Sequence, residues 1–242
     1  MEPELKNRLF PFHQEKGSES FPVNGRLIVI GDVHGCIREL EKLLKKIRPK
    51  KKDRILFLGD LVNRGPDSKA VLQLARELKA GSLLGNHEYR LLQFYHDLDS
   101  SQLRDYEKDT LKSLEAEDWN YISNMVIWQE LPAKDMVFVH GGFLPDIPWR
   151  KQSAQVVTHI QKIDNNGQPR KRNERTPGKF WAQSWKQKPF VVYGHTPRKN
   201  VFKRRYSLGI DTGCVWGGKL TALILPENEI IQVNSAKNHI RG

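Results

Sequence analysis

Five times along this chain an apolar run ends in a turn that presents a group able to bind a metal ion. The turns are Gly31-Asp32-Val33-His34, Gly59-Asp60, Gly85-Asn86-His87, His140-Gly141-Gly142 and Gly194-His195. Carboxylate, amide oxygen and imidazole are the donors that borderline divalent ions such as manganese, iron, cobalt and zinc accept. Arg64 follows Asp60 by one turn, and a planar guanidinium beside such a carboxylate suits a phosphate held next to a metal. The glycines remove a Cβ where backbone must pass close to an ion or a phosphate. One such His or Asp alone would be an ordinary turn residue. Repetition at five strand ends points to a metal site that handles phosphate.

The elements that must position these groups follow from periodicity. Leu27–Ile30, Ile55–Leu58, Ser82–Leu84, Met136–Val139 and Phe190–Tyr193 are short apolar runs bounded by turn residues, the pattern of strands buried on both faces. Between the first three lie helical stripes: Ile37, Leu40, Leu43, Leu44 and Ile47, closed by Pro49, then Val71, Leu72, Leu74, Ala75 and Leu78, with Pro66 just inside the helix start. Strand, turn and helix repeated in this way predict a parallel, helix-flanked sheet, with functional groups past the carboxyl ends of its strands. Tyr206–Ile210, Leu220–Leu225 and Glu229–Val233 add later strands. The fold class expected is α/β (α+β), two packed mixed β-sheets flanked by helices. Residues 1–24 read as an N-terminal arm or tail, and 25–242 as one catalytic domain. Within it, 89–124 is a helical insertion whose tyrosines pack on the sheet, and 150–189 a basic loop excursion.

Composition narrows the class. With 242 residues, 28% charged and 38% hydrophobic, the chain can bury one large core, and it has no apolar run long enough to cross a bilayer. Met1-Glu-Pro-Glu-Leu-Lys6 lacks the basic start and apolar centre of a signal peptide, so a cytoplasmic protein is expected. Cys36 and Cys214 are expected as buried free thiols, and without a CxxC no thiolate zinc site is anticipated. The net charge of +12 is concentrated: 15 Lys and Arg lie between Arg150 and Arg205 against Asp164 and Glu174 alone. Such a field draws in polyanions: polyphosphates, nucleotides or RNA.

Taken in order, Gly31-Asp-Val-His-Gly35, Gly59-Asp60 with Asn63-Arg64-Gly65, Gly85-Asn-His-Glu88, His140-Gly-Gly142 and Gly194-His195 resemble the motif series of the calcineurin-like metallophosphoesterases, phosphoprotein-phosphatase branch. The resemblance runs from about Arg26 to Val233. Gly59-Asp-Leu-Val-Asn-Arg-Gly-Pro-Asp-Ser68 and Leu208-Gly-Ile-Asp-Thr-Gly213, continuing to Ala222, are most similar to the symmetrical diadenosine tetraphosphatases and ApaH-like phosphatases. It implies the four-layer metallophosphoesterase fold and two divalent ions, manganese first, with cobalt, iron, zinc or magnesium as variants. Asp32, His34 and Asp60 would hold one ion; Asp60, bridging, would hold the other with Asn86, His140 and His195. Two such ions supply a metal-bound hydroxide and clamp the attacking and leaving oxygens. Arg64 would grip the phosphate and His87 would protonate the leaving oxygen.

Protein-phosphatase members of the family usually carry Asp where this chain has Asn63. Asn63 can accept a hydrogen bond from His87 but cannot stabilise an imidazolium by charge, which lowers the histidine's pKa. A nucleotide leaving group needs that proton less than a serine alkoxide does. The resemblance therefore implies hydrolysis of nucleoside polyphosphate anhydrides, with diadenosine tetraphosphate the first compound to try. A protein Ser/Thr phosphatase is the alternative, and an inorganic polyphosphatase or an enzyme acting on RNA 5′ ends shares the chemistry. From another class, a basic RNA-binding module with a relict site is disfavoured because no ligand position is lost. Arg170, Lys171, Arg172 and Arg175 would reach distal phosphates of a polyanionic substrate, since the excursion is pinned between His140 and His195. Trp181, Trp185 and Trp216 are expected to be structural rather than base-stacking. A monomer is expected.

Overall fold

The alternation of side chains along β1 (Leu27–Ile30) divides the core. Leu27 and Val29 point into one apolar cluster, Ile28 and Ile30 into another, as the two-residue period of a strand requires. In this computed structural model, which describes residues 24–97 and 103–240 together with Gly17, β1 pairs in parallel with β2 (Arg54–Phe57), and β2 with β3 (Gly81–Ser82). β12 (Lys219–Leu225) joins the other side of β1 antiparallel, and β13 (Glu229–Asn234) pairs with β12, giving the order β13-β12-β1-β2-β3.

The second sheet is built alike. β5 (Met136–Val139), β9 (Phe190–Tyr193) and β11 (Ser207–Gly209) are mutually parallel, edged by antiparallel β4 (Trp128–Leu131) and β10 (Phe202–Lys203). Leu27, Val29, Leu56, Leu58 and Leu223 from the first sheet meet Phe138, Val192 and Leu208 from the second in the inter-sheet core. The opposite faces carry the helices. Leu40, Leu43 and Ile47 of the Ile37–Ile47 helix and Val71, Leu72 and Ala75 of the Ser68–Glu77 helix pack with Ile28, Ile30, Ile55 and Phe57. Truncating a fully buried leucine such as Leu56 to alanine should cost about 2–5 kcal/mol. The four-layer expectation is met: helices, sheet, sheet, helices. Among the described residues no helix is long and apolar enough to cross a membrane.

Three local readings are corrected. Pro66 precedes the second helix instead of opening it. Asp67 is the N-cap, its side chain accepting from the Ala70 N–H at 2.8 Å, and a capping carboxylate satisfies an end N–H as proline cannot. Strands β4 and β10 were not expected: β4 alternates poorly and β10 has two residues. The basic segment is not a plain loop either. It folds into the Ala154–His159 helix and a small antiparallel sheet of β6 (Lys162–Asp164), β7 (Pro169–Arg170) and β8 (Gly178–Phe180), order β7-β6-β8. Helices Asn86–Asp97, Asp105–Ser113 and Ala116–Ser123 fill the 89–124 stretch. Within it 98–102 lie outside the described residues, as does the N-terminal arm apart from Gly17 and Asn24.

Candidate metal centre

Six parallel strands point their carboxyl ends at one place. Asp32 follows β1, Asp60 β2, Asn86 β3, His140 β5, His195 β9 and, unforeseen, Asp211 follows β11. The turns are strained: His34, Asp60, Asn63, Arg64 and His195 all have φ between 49° and 70°. Non-glycine residues in the left-handed region cost free energy and concentrate at functional sites.

Asp60 is the hub. Its Oδ1 accepts the His87 backbone N–H at 3.0 Å, and its Oδ2 lies 3.5 Å from His34 Nε2 and 3.4 Å from His140 Nε2. Both imidazoles are oriented from behind: His34 Nδ1 donates to the Val62 carbonyl at 3.0 Å and His140 Nδ1 to that of Leu58 at 2.7 Å. Such bonds fix the tautomer and leave Nε2 to face an ion. Asn86 Oδ1 sits 3.1 Å from His140 Nε2, and Arg64 Nη1 donates to His34 Nε2 at 3.0 Å. The ligand atoms of Asp60, His140 and His195 lie within 4.8 Å of one another, and so do those of His34, Asp60 and His87. Ligands about 2.0–2.2 Å from one shared ion stand about 3–3.6 Å apart, so the donor set fits divalent ions with little movement.

Not every expected ligand sits in these clusters. Asp32 turns both carboxylate oxygens to the His195 backbone N–H at 3.1 Å, and His195 Nε2 is bonded to the His159 carbonyl at 3.1 Å, leaving Nδ1. Glycine is required for this approach. A Cβ on Gly194 would stand 2.2 Å from Asp32 Oδ1, and one on Gly85 would stand 2.3 Å from Asp60 Oδ1.

Charges are compressed here. Burial and then Asp211 push the Asp32 carboxyl well above its ordinary range, and burial lifts Asp211 to about 6. Burial also works to raise Asp60, but His140 and His87 outweigh it and hold Asp60 well down. Burial works to lower His140, while Asp60 holds it up at about 10. His34 falls to about 4 and His195 to about 3, chiefly by burial. Buried carboxylates and imidazoles gathered at such close quarters suit cations.

His87 is 3% exposed, and burial holds it well below the usual histidine range. Asn63 Nδ2 donates to His87 Nδ1 at 3.0 Å, so neutral His87 carries its proton on Nε2. The bond runs opposite to the expected direction, and Asn63 Oδ1 has no partner among the described residues. Tyr106 lies against His87, ring centroids 6.0 Å apart.

Glu88 was legible as part of a motif but not in its role. It is fully buried, Oε1 accepts the Leu61 and Val62 N–H groups at 2.7 and 3.1 Å, and Oε2 accepts those of Asp60 and Gly85 at 2.9 and 3.1 Å. One carboxylate thus splints the turn that carries Asp60. Burial and Asp60 push it up to about 7.

The basic segment reaches the centre through its backbone: Gly141 donates to the Val157 carbonyl at 2.7 Å. Its arginines differ. Arg170 Nε is paired with Asp164 at 2.8 Å inside the small sheet. Arg172 Nη1 donates to the carbonyl of Pro197, two residues past His195, at 3.0 Å. Arg175 is exposed. Of the tryptophans, Trp181 and Trp185 are buried at 0% and 2%, as expected. Trp216 is 48% exposed, and the Arg64 guanidinium stands 5.6 Å from its ring.

The family model for calcineurin-like phosphoesterases matches residues 25–233. The asymmetrical bis(5′-nucleosyl)-tetraphosphatase PrpE of Oceanobacillus iheyensis is 32% identical over 244 residues, covering 89% of this chain and 94% of its own. The protein of that name from Anoxybacillus flavithermus is 30% identical, covering 88% and 95%. A crystal structure of a protein called a putative diadenosine tetraphosphatase superposes with a TM-score of 0.81 at 32% identity, covering 90% of this chain and 97% of its own. A Saccharomyces cerevisiae protein serine/threonine phosphatase, at 14% identity and TM-score 0.58, shares the fold.

Proposed function

The chain belongs to the calcineurin-like phosphoesterase family and is a hydrolase, and on that premise we propose that it cleaves phosphoanhydride bonds of nucleoside polyphosphates, dinucleoside tetraphosphates first. The observation that carries this reading is the pairing of Arg64 with the exposed Trp216 at 5.6 Å. A guanidinium that can grip phosphate stands beside a ring on which a nucleobase can stack.

Asp32, His34 and Asp60 would hold one divalent ion and Asp60, Asn86, His140 and His195 the other, manganese being the ion to try first for such mixed oxygen and nitrogen donors. When bound, the ions polarise the attacked phosphorus and supply an acidified water at neutral pH. Everything else falls to the chain. Arg64 orients the non-bridging oxygens and neutralises charge that builds on them. Neutral His87, with its proton on Nε2, donates a hydrogen bond to the leaving oxygen, and only its imidazolium form can hand over the proton. Asn63 holds that tautomer without adding charge, which suits a phosphate leaving group. Arg172, bonded beside Pro197, and exposed Arg175 would reach the distal phosphates, while Arg170 serves the small sheet.

The relatives named above are called asymmetrical, whereas the motifs resemble the symmetrical enzymes. The close spacing of Trp216 and Arg64 favours asymmetrical attack, because only a ribose separates a base from its own α-phosphate. Diadenosine tetraphosphate should then yield ATP and AMP, and two ADP would establish the symmetrical reading. Trp216→Ala should raise KM for the dinucleotide about 10-fold, within the ~1–3 kcal/mol of base stacking, and leave an aryl phosphate unaffected. Equal losses on both substrates would remove Trp216 from base recognition.

A further inference from the structure

Away from Asp60, a thiol, a carboxylate and an imidazole converge: the ligand atoms of Cys36, Glu39 and His239 all lie within 4.8 Å of one another. Cys36 immediately precedes the Ile37–Ile47 helix and Glu39 lies in its first turn. His239 arrives on the C-terminal segment, its backbone N–H donating to the Val215 carbonyl at 2.9 Å. Cys214 sits thiol to thiol against Cys36, and both are buried and free.

Two polar atoms here are left over. Glu39 is 1% exposed; its Oε1 receives the Ala236 N–H at 3.2 Å and the Ser235 hydroxyl at 3.4 Å, but Oε2 has no hydrogen-bond partner among the described residues. His239 Nε2 stands 3.7 Å from Glu39 Oε1 and likewise has no hydrogen-bond partner, with only 9% of its side chain exposed. Buried polar groups are costly when unpaired, and such orphans call for an explanation.

We propose that Cys36, Glu39 and His239, completed by Cys214, hold one structural zinc ion separate from the centre at Asp60. Zinc takes sulfur, nitrogen and carboxylate oxygen together in a tetrahedron, and its usual bond lengths place neighbouring ligand atoms about 3.3–3.8 Å apart. The 3.7 Å between Glu39 Oε1 and His239 Nε2 is slightly long for an oxygen–nitrogen pair on one zinc, Cys36 needs a small inward shift, and Cys214, outside that group of three, a larger one. The ion would engage the idle imidazole nitrogen and carboxylate. A dication would also hold the buried sulfurs as thiolates. The consequence is mechanical. The ion pins the C-terminal segment and the Cys214–Trp216 turn to the start of a core helix, fixing the loop that carries Trp216. The ligands come from three distant stretches, so no CxxC spacing announces the site.

Cobalt tests this in the full-length protein. After chelator treatment and reloading with Co(II), a thiolate-to-cobalt charge-transfer band in the near ultraviolet should appear and be displaced by zinc. No residue of the Asp60 cluster supplies sulfur, so the band reports this site whether or not the phosphoanhydride reading holds. His239→Ala should weaken the cobalt affinity read from this band at least about 10-fold, and Cys214→Ser should diminish the band. If either variant fails to fold, zinc protection of both wild-type thiols against alkylation gives the same reading. A wild-type protein with no thiolate band, a band indifferent to His239→Ala, or thiols alkylated equally with and without zinc would each overturn the proposal.

Discussion

Replacing Asn63 by aspartate would change one atom in the contact that sets the strength of the acid. Asn63 is 0% and His87 3% exposed, their side chains meet at 3.0 Å, and the left-handed backbone at Asn63 (φ 69°) tolerates Asp as it does Asn. A carboxylate there would accept from a protonated Nδ1 and favour the imidazolium, by about 1–3 pKa units for a close buried opposite charge, or about 1.4–4 kcal/mol. His87 now lies well below the usual histidine range, so near pH 7.5 few molecules carry a charged acid. Raising the pKa by about 2 units multiplies that population up to ~100-fold, and weaker acidity takes back part. We expect about a 10-fold gain in kcat/KM for an alkyl phosphate monoester, whose leaving alkoxide needs the proton. The gain on diadenosine tetraphosphate should stay below about 3-fold, because its leaving phosphate is a weak base. The sign with pH follows: activity that requires protonated His87 is lost as pH rises through its pKa, so the alkaline limb moves upward in the variant. The assay is kcat/KM against pH for both substrates on manganese-loaded protein. Equal gains on ester and anhydride, or an unmoved alkaline limb, would refute the reasoning.

Further outcomes can be checked alongside. Glu88→Gln swaps an acceptor of four N–H groups for an amide that must turn a donor toward two of them, which should cost about 2–4 kcal/mol in chemical denaturation and weaken metal binding about 10–100-fold in a chelator titration. Gly194→Ala, whose Cβ would stand 2.2 Å from Asp32 Oδ1, should lower the metal content of dialysed protein by one ion. His159 has its folded pKa lowered to about 4, mainly by burial. The stability tied to its neutral form is present above about pH 6.5 and is lost as pH falls toward 4. Between those values the melting temperature of His159→Gln should therefore fall less steeply than that of the parent protein. Neutralising Arg172 and Arg175 should raise KM for the tetraphosphate and spare an aryl phosphate, whereas Arg170→Gln should lower thermal stability through its Asp164 pair.

The sequence exposed the strand ends because each combines a two-face apolar run with a glycine turn, both local signals. That pattern located Asp32, Asp60, Asn86, His140 and His195. It missed Asp211, whose turn opens with Ile210 instead of glycine, although the strand before it was expected. What escaped depends on contacts between distant segments. Glu88 turns back onto the N–H groups of residues 60–62, the Asn63 amide presents nitrogen rather than oxygen to His87, and Trp216 is exposed beside Arg64 while Trp181 and Trp185 are buried. The small sheet of the basic segment escaped because its strands are two or three residues long and polar, too short to show a period.

The most direct test of the central claim is the product pattern from diadenosine tetraphosphate with the manganese-loaded enzyme, separated by ion-exchange chromatography. The account predicts ATP and AMP in equal amounts, abolished by Asp60→Asn. Absence of any nucleotide product with manganese, cobalt, magnesium or zinc, alongside turnover of a phosphopeptide, would contradict it.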